Sequence, residues 1–233
     1  MKRNILFVCL LIMGVILVGC SSNAPTPIEN NKEVTSDTEI QEAVNLEDEV
    51  IYDVVDAPTL CLMKFTNNSD IPVAVEVNFV FEKNGTKTDA GWGHLYCLAG
   101  GEIGYISMKK PTNENGLPIE GYTTEYTVTV SEHGIFDENA SFKDNITVED
   151  SQSGREVTIT VRNNSEMNVD NFSVFIVYYS GDTPVWTDDY SYEIAANGES
   201  YYTFGEPHYY DVDITAIPFD RYEIFVNDAF NYN

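Results

Sequence analysis

From Arg155 the chain reads REVTITVRNNS, and apolar and polar residues alternate strictly along it. Val157, Ile159 and Val161 fall on one side, Glu156, Thr158, Thr160 and Arg162 on the other. A period of two predicts a strand with one buried and one solvated face. The same kind of run recurs from about residue 50 onward. Short stretches rich in Val, Ile, Phe, Tyr and Thr are separated by Asn, Gly, Asp and Pro, which is the profile of strands and turns. No stretch shows a sustained helical period with caps. Asn84-Gly85, between NFVFEK and TKTDAGW, predicts a type I′ hairpin turn, because both residues tolerate positive φ. Ser180-Gly181 holds the matching place further on, and LAGGE and AANGE mark another turn in each half.

These landmarks repeat. Asn67-Asn68-Ser69 reappears 96 positions later as Asn163-Asn164-Ser165. At that offset Phe79 matches Phe175, Gly85 matches Gly181 and Tyr126 matches Tyr222. Trp92 matches Trp186 after a small slip, and Gly101-Glu102 matches Gly198-Glu199 at an offset of 97. Repeats of this length point to a duplicated unit. The expectation is two all-β modules, residues 46–136 and 137–233. Each is near the size of an immunoglobulin-like β-sandwich, about 100 residues with about seven strands. Asn67 and Asn163 also stand in Asn-x-Ser sequons, as Asn84, Asn139, Asn145 and Asn171 do with Ser or Thr. For the repeated pair the expectation is a strand-end turn, since Asn and Ser side chains bond nearby backbone groups.

The first 45 residues differ in character. Lys2 and Arg3 precede an apolar run, Ile5 to Val18, too short for the roughly 20 residues that span a bilayer. It reads as the hydrophobic part of a signal peptide, residues 1–19. Leu17-Val18-Gly19-Cys20 resembles a bacterial lipobox. The resemblance implies cleavage before Cys20 and a diacylglyceryl group on its sulfur. Two acyl chains suffice for stable anchoring where one does not. Residues 20–45 are rich in Ser, Asn, Thr, Pro and acids and hold no aromatic. They are expected to form a disordered tether with a reach of roughly 30 Å. The expected location is the outer-facing side of a bacterial cell membrane.

The chain carries 12 Lys+Arg against 38 Asp+Glu, a net charge of −26. Two of the cations lie in residues 1–19, so the remainder is more acidic still. That excludes a nucleic-acid partner, which needs clustered cations. The three histidines, His94, His133 and His208, have no ligand spacing to one another or to a cysteine, and no metal site is expected. The acids of Asp188-Asp189 and Asp211-Val212-Asp213 lack the pattern of a calcium loop. There is no nucleophile elbow, no readable triad and no phosphate loop. A non-catalytic protein without cofactor is expected. Outside the first 20 residues two cysteines remain. Cys61 aligns with Val157 and Cys97 with Ile194, so both are expected to point inward. Either they form a disulfide, which an exported chain permits, or they are two buried thiols.

Asn163-Asn164-Ser165, then Phe175-Ile176-Val177-Tyr178-Tyr179, then Asn197-Gly198-Glu199 together resemble the FxLYD domain of exported prokaryotic proteins. Val177 stands where the motif has Leu, and Tyr179 where it has Asp. The resemblance covers about 155–205 and, faintly, 60–107. It implies a β-sandwich at the cell surface and no catalytic chemistry. The remaining signal is aromatic. The second half holds ten of the fifteen tyrosines, six of them in the pairs Tyr178-Tyr179, Tyr201-Tyr202 and Tyr209-Tyr210. In a strand each pair turns one ring outward. Two roles follow: a surface interaction or scaffold protein with an envelope partner, or a carbohydrate- or peptide-binding module using this tyrosine-rich face.

Overall fold

The computed structural model describes residues 45–132, 141–209 and 215–232. The expected signal peptide, Cys20, the tether as far as residue 44, the boundary at 136/137, His133, Asn139, Tyr210 and Asp211-Val212-Asp213 lie outside them. After a single helical turn, Leu46–Glu49, come β1 (Val50–Asp56), β2 (Leu60–Asn67), β3 (Val73–Lys83), β4 (Thr86–Leu98), β5 (Ile103–Lys109) and β6 (Thr123–Glu132). The second half gives β7 (Ile146–Ser153), β8 (Glu156–Asn163), β9 (Val169–Ser180), β10 (Thr183–Ile194), β11 (Glu199–Phe204) and β12 (Arg221–Phe230). All pairing is antiparallel. The sheets run β1-β2-β5 and β4-β3-β6, then β7-β8-β11 and β10-β9-β12. The fold is all-β and sandwich-type, and the second half repeats the strand order of the first. Each half has six described strands where about seven were expected.

The alternation read in the sequence fills the cores. Cys61, Met63, Phe65, Val73, Val75, Val77, Phe79 and Phe81 pack between the first two sheets. Val157, Ile159, Val161, Phe172, Val174, Ile176 and Tyr178 pack between the second two. The Asn84-Gly85 turn has both φ values positive, 54° and 76°, as a type I′ hairpin requires.

The Asn-x-Ser element is a buried corner made twice. Asn67 is fully buried and Asn163 is 2% exposed. Asn67 Nδ2 donates to the carbonyls of Ile71 and Leu98, both at 2.8 Å. Its Oδ1 accepts from Ser69 N and Ser69 Oγ at 2.9 and 2.8 Å. Asn163 does the same. It donates to Met167 O at 2.7 Å and Ala195 O at 3.0 Å, and accepts from Ser165 N and Oγ at 3.0 and 2.8 Å. In each copy the asparagine ends a strand of one sheet and bonds the end of an edge strand in the facing sheet. It also closes the turn between its own strand and the next. Every polar atom of its amide is used, which is what burial of an amide requires.

Several of the sequence matches are displaced. In the first half Val73 pairs with Leu98 and Val75 with Leu95, so the extra residue lies on β4. In the second half Val169 pairs with Ile194 and Phe172 with Tyr192, so it lies on β9. The bulge has changed strands. Beyond it the core-facing equivalent of Phe79 is Ile176, and Phe175 faces away from its own core. Gly181 likewise corresponds to Asn84 rather than to Gly85. Trp92 pairs with Asn78 and Trp186 with Tyr178, so the tryptophans are not equivalent. A slip of one residue turns a side chain to the opposite face. Cys97 shows this: Leu98, not Cys97, is the equivalent of Ile194. Cys61 lies in the first core, while Cys97 packs on Phe230 of the second half. The two are free buried thiols, not a disulfide. Burial pushes both thiols up to about 12, so neither is a thiolate at neutral pH.

The halves are joined by a third apolar cluster. Ala57, Leu60 and Leu62 from the first meet Phe175 and Val177 from the second, with Tyr105, Tyr179 and Phe225 around them. This is why β9 is buried on both faces while β3 alternates.

Two predictions follow from these contacts. Asn163→Ala strands the carbonyls of Met167 and Ala195 and should cost on the order of 2–4 kcal/mol, read as a fall in urea midpoint. Leu60→Ala should cost about 2–5 kcal/mol and loosen one half from the other. Single-tryptophan variants, Trp186→Phe reporting the first half and Trp92→Phe the second, should then show separated midpoints where the parent shows coincident ones.

Candidate functional site

β4 and β5 are edge strands of the two facing sheets of the first half, and they lie against each other. Along Gly91-Trp92-Gly93-His94-Leu95-Tyr96 the side chains alternate with glycines. A methyl group at Gly93 would collide with the Ile106 side chain, and one at Gly91 would lie 2.6 Å from Met108 Cε. The inward face of β4 is bare here because β5 fills it. The outward face carries Trp92, His94 and Tyr96. Trp92 and His94 stack at 4.9 Å and 20°, and Tyr96 meets His94 edge-on at 3.8 Å. The row continues into the second half through Phe230, 5.7 Å from Tyr96.

This edge faces β9, β10 and β12 across a cleft of about 560 Å³. Trp92, at 61% exposed, stands at its margin. Its opposite wall includes Ser173, Thr187, Asp188, Asp189 and Ser191, and Lys109 comes from β5. A volume of this size suits a small-molecule ligand. A second cavity of about 240 Å³ shares Lys109 and is lined by Lys110, Trp186 and Tyr209.

The cleft is held at its base by a bulge in β12, between Val226 and Asp228. Asn227 Oδ1 accepts from Tyr105 N at 2.6 Å, and its Nδ2 donates to Tyr105 O at 2.8 Å. The amide thus pairs with β5 as another strand residue would. Asp228 Oδ1 accepts from Cys97 N at 3.1 Å, and Asp228 N donates to Ser173 Oγ at 3.1 Å. The bulged turn of β4 therefore docks on the bulged turn of β12. Tyr105 stacks on Phe225 at 4.1 Å and lies parallel to Phe175 at 6.1 Å.

Burial pushes the Asp228 carboxyl up to about 6. The amides of Cys97 and Tyr96 and the Lys143 ammonium oppose that shift, and Glu102 adds to it. The Asp189 carboxyl is also raised, by burial and then by neighbouring Asp188, with Lys109 opposing. Lys109 is lowered by burial against the pull of Asp188 and Asp189. Its ammonium sits 3.5 Å from the centre of the Trp186 ring. His94 is lowered by burial, with Glu76 opposing, and is uncharged at neutral pH. Among the described residues no three His, Cys, Asp or Glu side chains converge as metal ligands.

The five described tyrosines of the three pairs do not form one face. Tyr178 is 1% exposed, a core residue whose hydroxyl has no hydrogen-bond partner among the described residues. Tyr179 turns to the junction of the halves, under the Arg221 guanidinium at 3.8 Å and bonded to Glu223. Tyr202 stacks on Tyr190 at 4.0 Å against the second core. Tyr201 is solvated on β11. Tyr209 lies edge-on to Trp186 at 6.0 Å in the smaller cavity. The alternation of rings across a strand holds, but the outward rings go to separate places. The cleft residues were not singled out from the sequence, although the signal was there: Gly at 91 and 93, aromatic rings at 92, 94 and 96.

No family model matches the chain, and no curated protein does. Among solved structures, a chain of a chaperone–tip adhesin complex of CFA/I fimbriae is similar at 12% identity, over 76% of this chain and 93% of that one, with a TM-score of 0.20. A GH2 β-galacturonidase from Eisenbergiella tayi is similar at 9% identity, over 64% of this chain and 29% of that one, with a TM-score of 0.17. Likenesses at this level carry no argument about the chain.

Asp228 gives a test of the base of the cleft. Its folded pKa lies above the unfolded value, so its favourable contribution is full below about pH 4 and is lost as pH rises through about 6. Asp228→Asn keeps the acceptor for Cys97 N and removes the titration. The stability of Asp228→Asn relative to the parent should rise between pH 4 and pH 7, by on the order of 2–3 kcal/mol. Urea unfolding at four or five pH values checks this, and a pH-independent difference would contradict it.

Proposed function

We propose that the chain is a non-catalytic binding protein of the outer-facing cell envelope, held to the membrane by lipid on Cys20, with its ligand site in the cleft between the halves. The observation that carries the reading is the cleft: about 560 Å³ between two docked halves, with the exposed indole of Trp92 at its margin. Apolar rings beside a few placed polar groups are the usual make-up of a small-ligand site. An exposed Trp beside polar residues also fits a recognition surface better than a core. The lipid anchor is supported by the order of Lys2-Arg3, the apolar run and Leu17-Val18-Gly19-Cys20. The FxLYD-like residues accord with the same setting: Asn163 and Ser165 close a corner, and Phe175 and Val177 bind the halves together. The tyrosine-rich face is not favoured as the site, because its rings are dispersed.

Cys20→Ala should move the protein from the membrane fraction to the soluble exported fraction and abolish palmitate labelling. Unchanged fractionation without label would end the lipoprotein reading. For the cleft, thermal unfolding should be followed with three solutes, spermidine, inorganic phosphate and chitotriose, each at about 10 mM. At least one should raise the midpoint by 2 °C or so, as binding to the folded state must, and Trp92→Ala should remove that shift. A shift unaffected by Trp92→Ala, or no shift with any of the three, overturns the cleft reading.

A further inference from the structure

We infer that the cleft takes a small organic cation, an alkylammonium compound of polyamine size, held by the carboxylate of Asp189 and by the rings of Trp92 and Tyr96. This deepens the binding-protein reading and rests on it.

Four observations converge. First, the cleft holds more negative than positive charge. Asp188, Asp189 and Asp228 line it against one ammonium, that of Lys109, and His94 is uncharged. Among the described residues neither Asp188 nor Asp189 has a basic partner within 4.0 Å. Elsewhere the described arginines are matched: Arg162 with Glu149 and Glu199, Arg155 with Glu206, Arg221 with Glu223. Second, the Asp189 carboxyl is raised by burial and then by Asp188, and Lys109 only partly offsets this, so a further cation beside it would be favoured. Third, an ammonium already sits next to the cleft, in the smaller cavity that shares Lys109 and is lined by Trp186. Lys109 Nζ lies 3.5 Å from the Trp186 ring centre and feels both aspartates, so an ammonium between indole and carboxylate is compatible with the site. Indole and phenol rings attract cations through their faces, most strongly where water is excluded.

Fourth, the rings are arranged for a cation rather than a sugar. A sugar-binding platform needs open, roughly coplanar ring faces. Here Trp92 is stacked on His94 and Tyr96 stands at 73° to the imidazole. Each ring covers part of its neighbour, leaving edges and one outer face. A compact ammonium needs no flat platform. A cleft of about 560 Å³ limits the ligand to a small molecule.

The test is titration calorimetry of the soluble chain from Ala24 onward, which keeps every described residue. The probes are spermidine, choline and the neutral trisaccharide chitotriose, at low and at physiological salt. Spermidine should bind saturably, more tightly than choline, and lose affinity as salt rises. Asp189→Asn and Trp92→Ala should each weaken spermidine at least tenfold. Glu156→Gln, an exposed acid on β8, should change it less than twofold. Trp92→Phe should retain most of the affinity. Both cleft variants should keep the parent's thermal midpoint to within a few degrees; if Trp92→Ala does not, Asp189→Asn carries the test. Absence of spermidine binding below about 5 mM overturns the inference. So does an equal loss in Asp189→Asn and Glu156→Gln, which would mean diffuse attraction to an acidic surface. Chitotriose binding that depends on Trp92 and not on Asp189 overturns the cation assignment and leaves the binding cleft standing.

Discussion

Asn227 pairs its side-chain amide with both backbone groups of Tyr105, at 2.6 and 2.8 Å, and the geometry of the molecule's middle follows from that pair. A strand edge presents unpaired N–H and C=O groups that must find partners. β5 is such an edge. Here one asparagine supplies donor and acceptor together, and the next residue, Asp228, caps the β4 edge through Cys97 N. Both are available because β12 bulges at this point, which re-aims two consecutive side chains. The polar stitch sets the angle of the halves, and the apolar cluster of Leu60, Leu62, Phe175 and Val177 fills the space so defined. The cleft is what remains open beside it.

That arrangement also explains why the halves diverged where they did. The buried asparagine corners are nearly superimposable in their bonds, because each amide uses all its hydrogen-bonding capacity and no other side chain of that size would. The turn 34 residues after each corner asparagine is looser. It needs positive φ at one place, which Gly101 supplies in the first half at 77° and Asn197 in the second at 53°. Glycine and asparagine both reach that region, so the residue type drifted and the conformation did not. Aligning Gly101 with Gly198 therefore misplaces the match by one, since Asn197 is the structural counterpart.

The all-β fold, the hairpin at Asn84-Gly85 and the corner role of Asn-x-Ser were legible, because each depends on local chemistry. The face of each strand was legible only up to a bulge. The extra residue lies on β4 in one half and on β9 in the other, and nothing in the composition of VAVEV or VDNFSV marks which. That single residue separates Cys97 from the first core and turns Phe175 to the other half. The site was illegible for a related reason. It is assembled from β4, β5, β9, β10 and β12, more than 130 positions apart, and only docking of the halves brings them together. Its one local trace, glycines alternating with Trp92, His94 and Tyr96, is ambiguous by itself. Gly in a strand marks close approach by something, and the sequence does not say that the something is Ile106 and Met108.

The chain's excess of acid has two separate consequences. On solvated faces it is screened and contributes mainly repulsion from other acidic surfaces. Within the cleft the same charge is partly desolvated, and it acts on its neighbours: Asp189 and Asp228 hold protons more tightly than free carboxyls, and Lys109 holds its own less tightly. Opposite shifts in acids and base within one cavity mean that burial, not ion pairing, sets the local balance. A site in that condition is improved by any guest that brings positive charge without needing much hydration. It is worsened by a guest carrying negative charge, which would face the Asp189 carboxylate. Selection by charge sign thus follows from the walls themselves, while the placement of Trp92 and Tyr96 at one side determines where an apolar portion of the guest would rest.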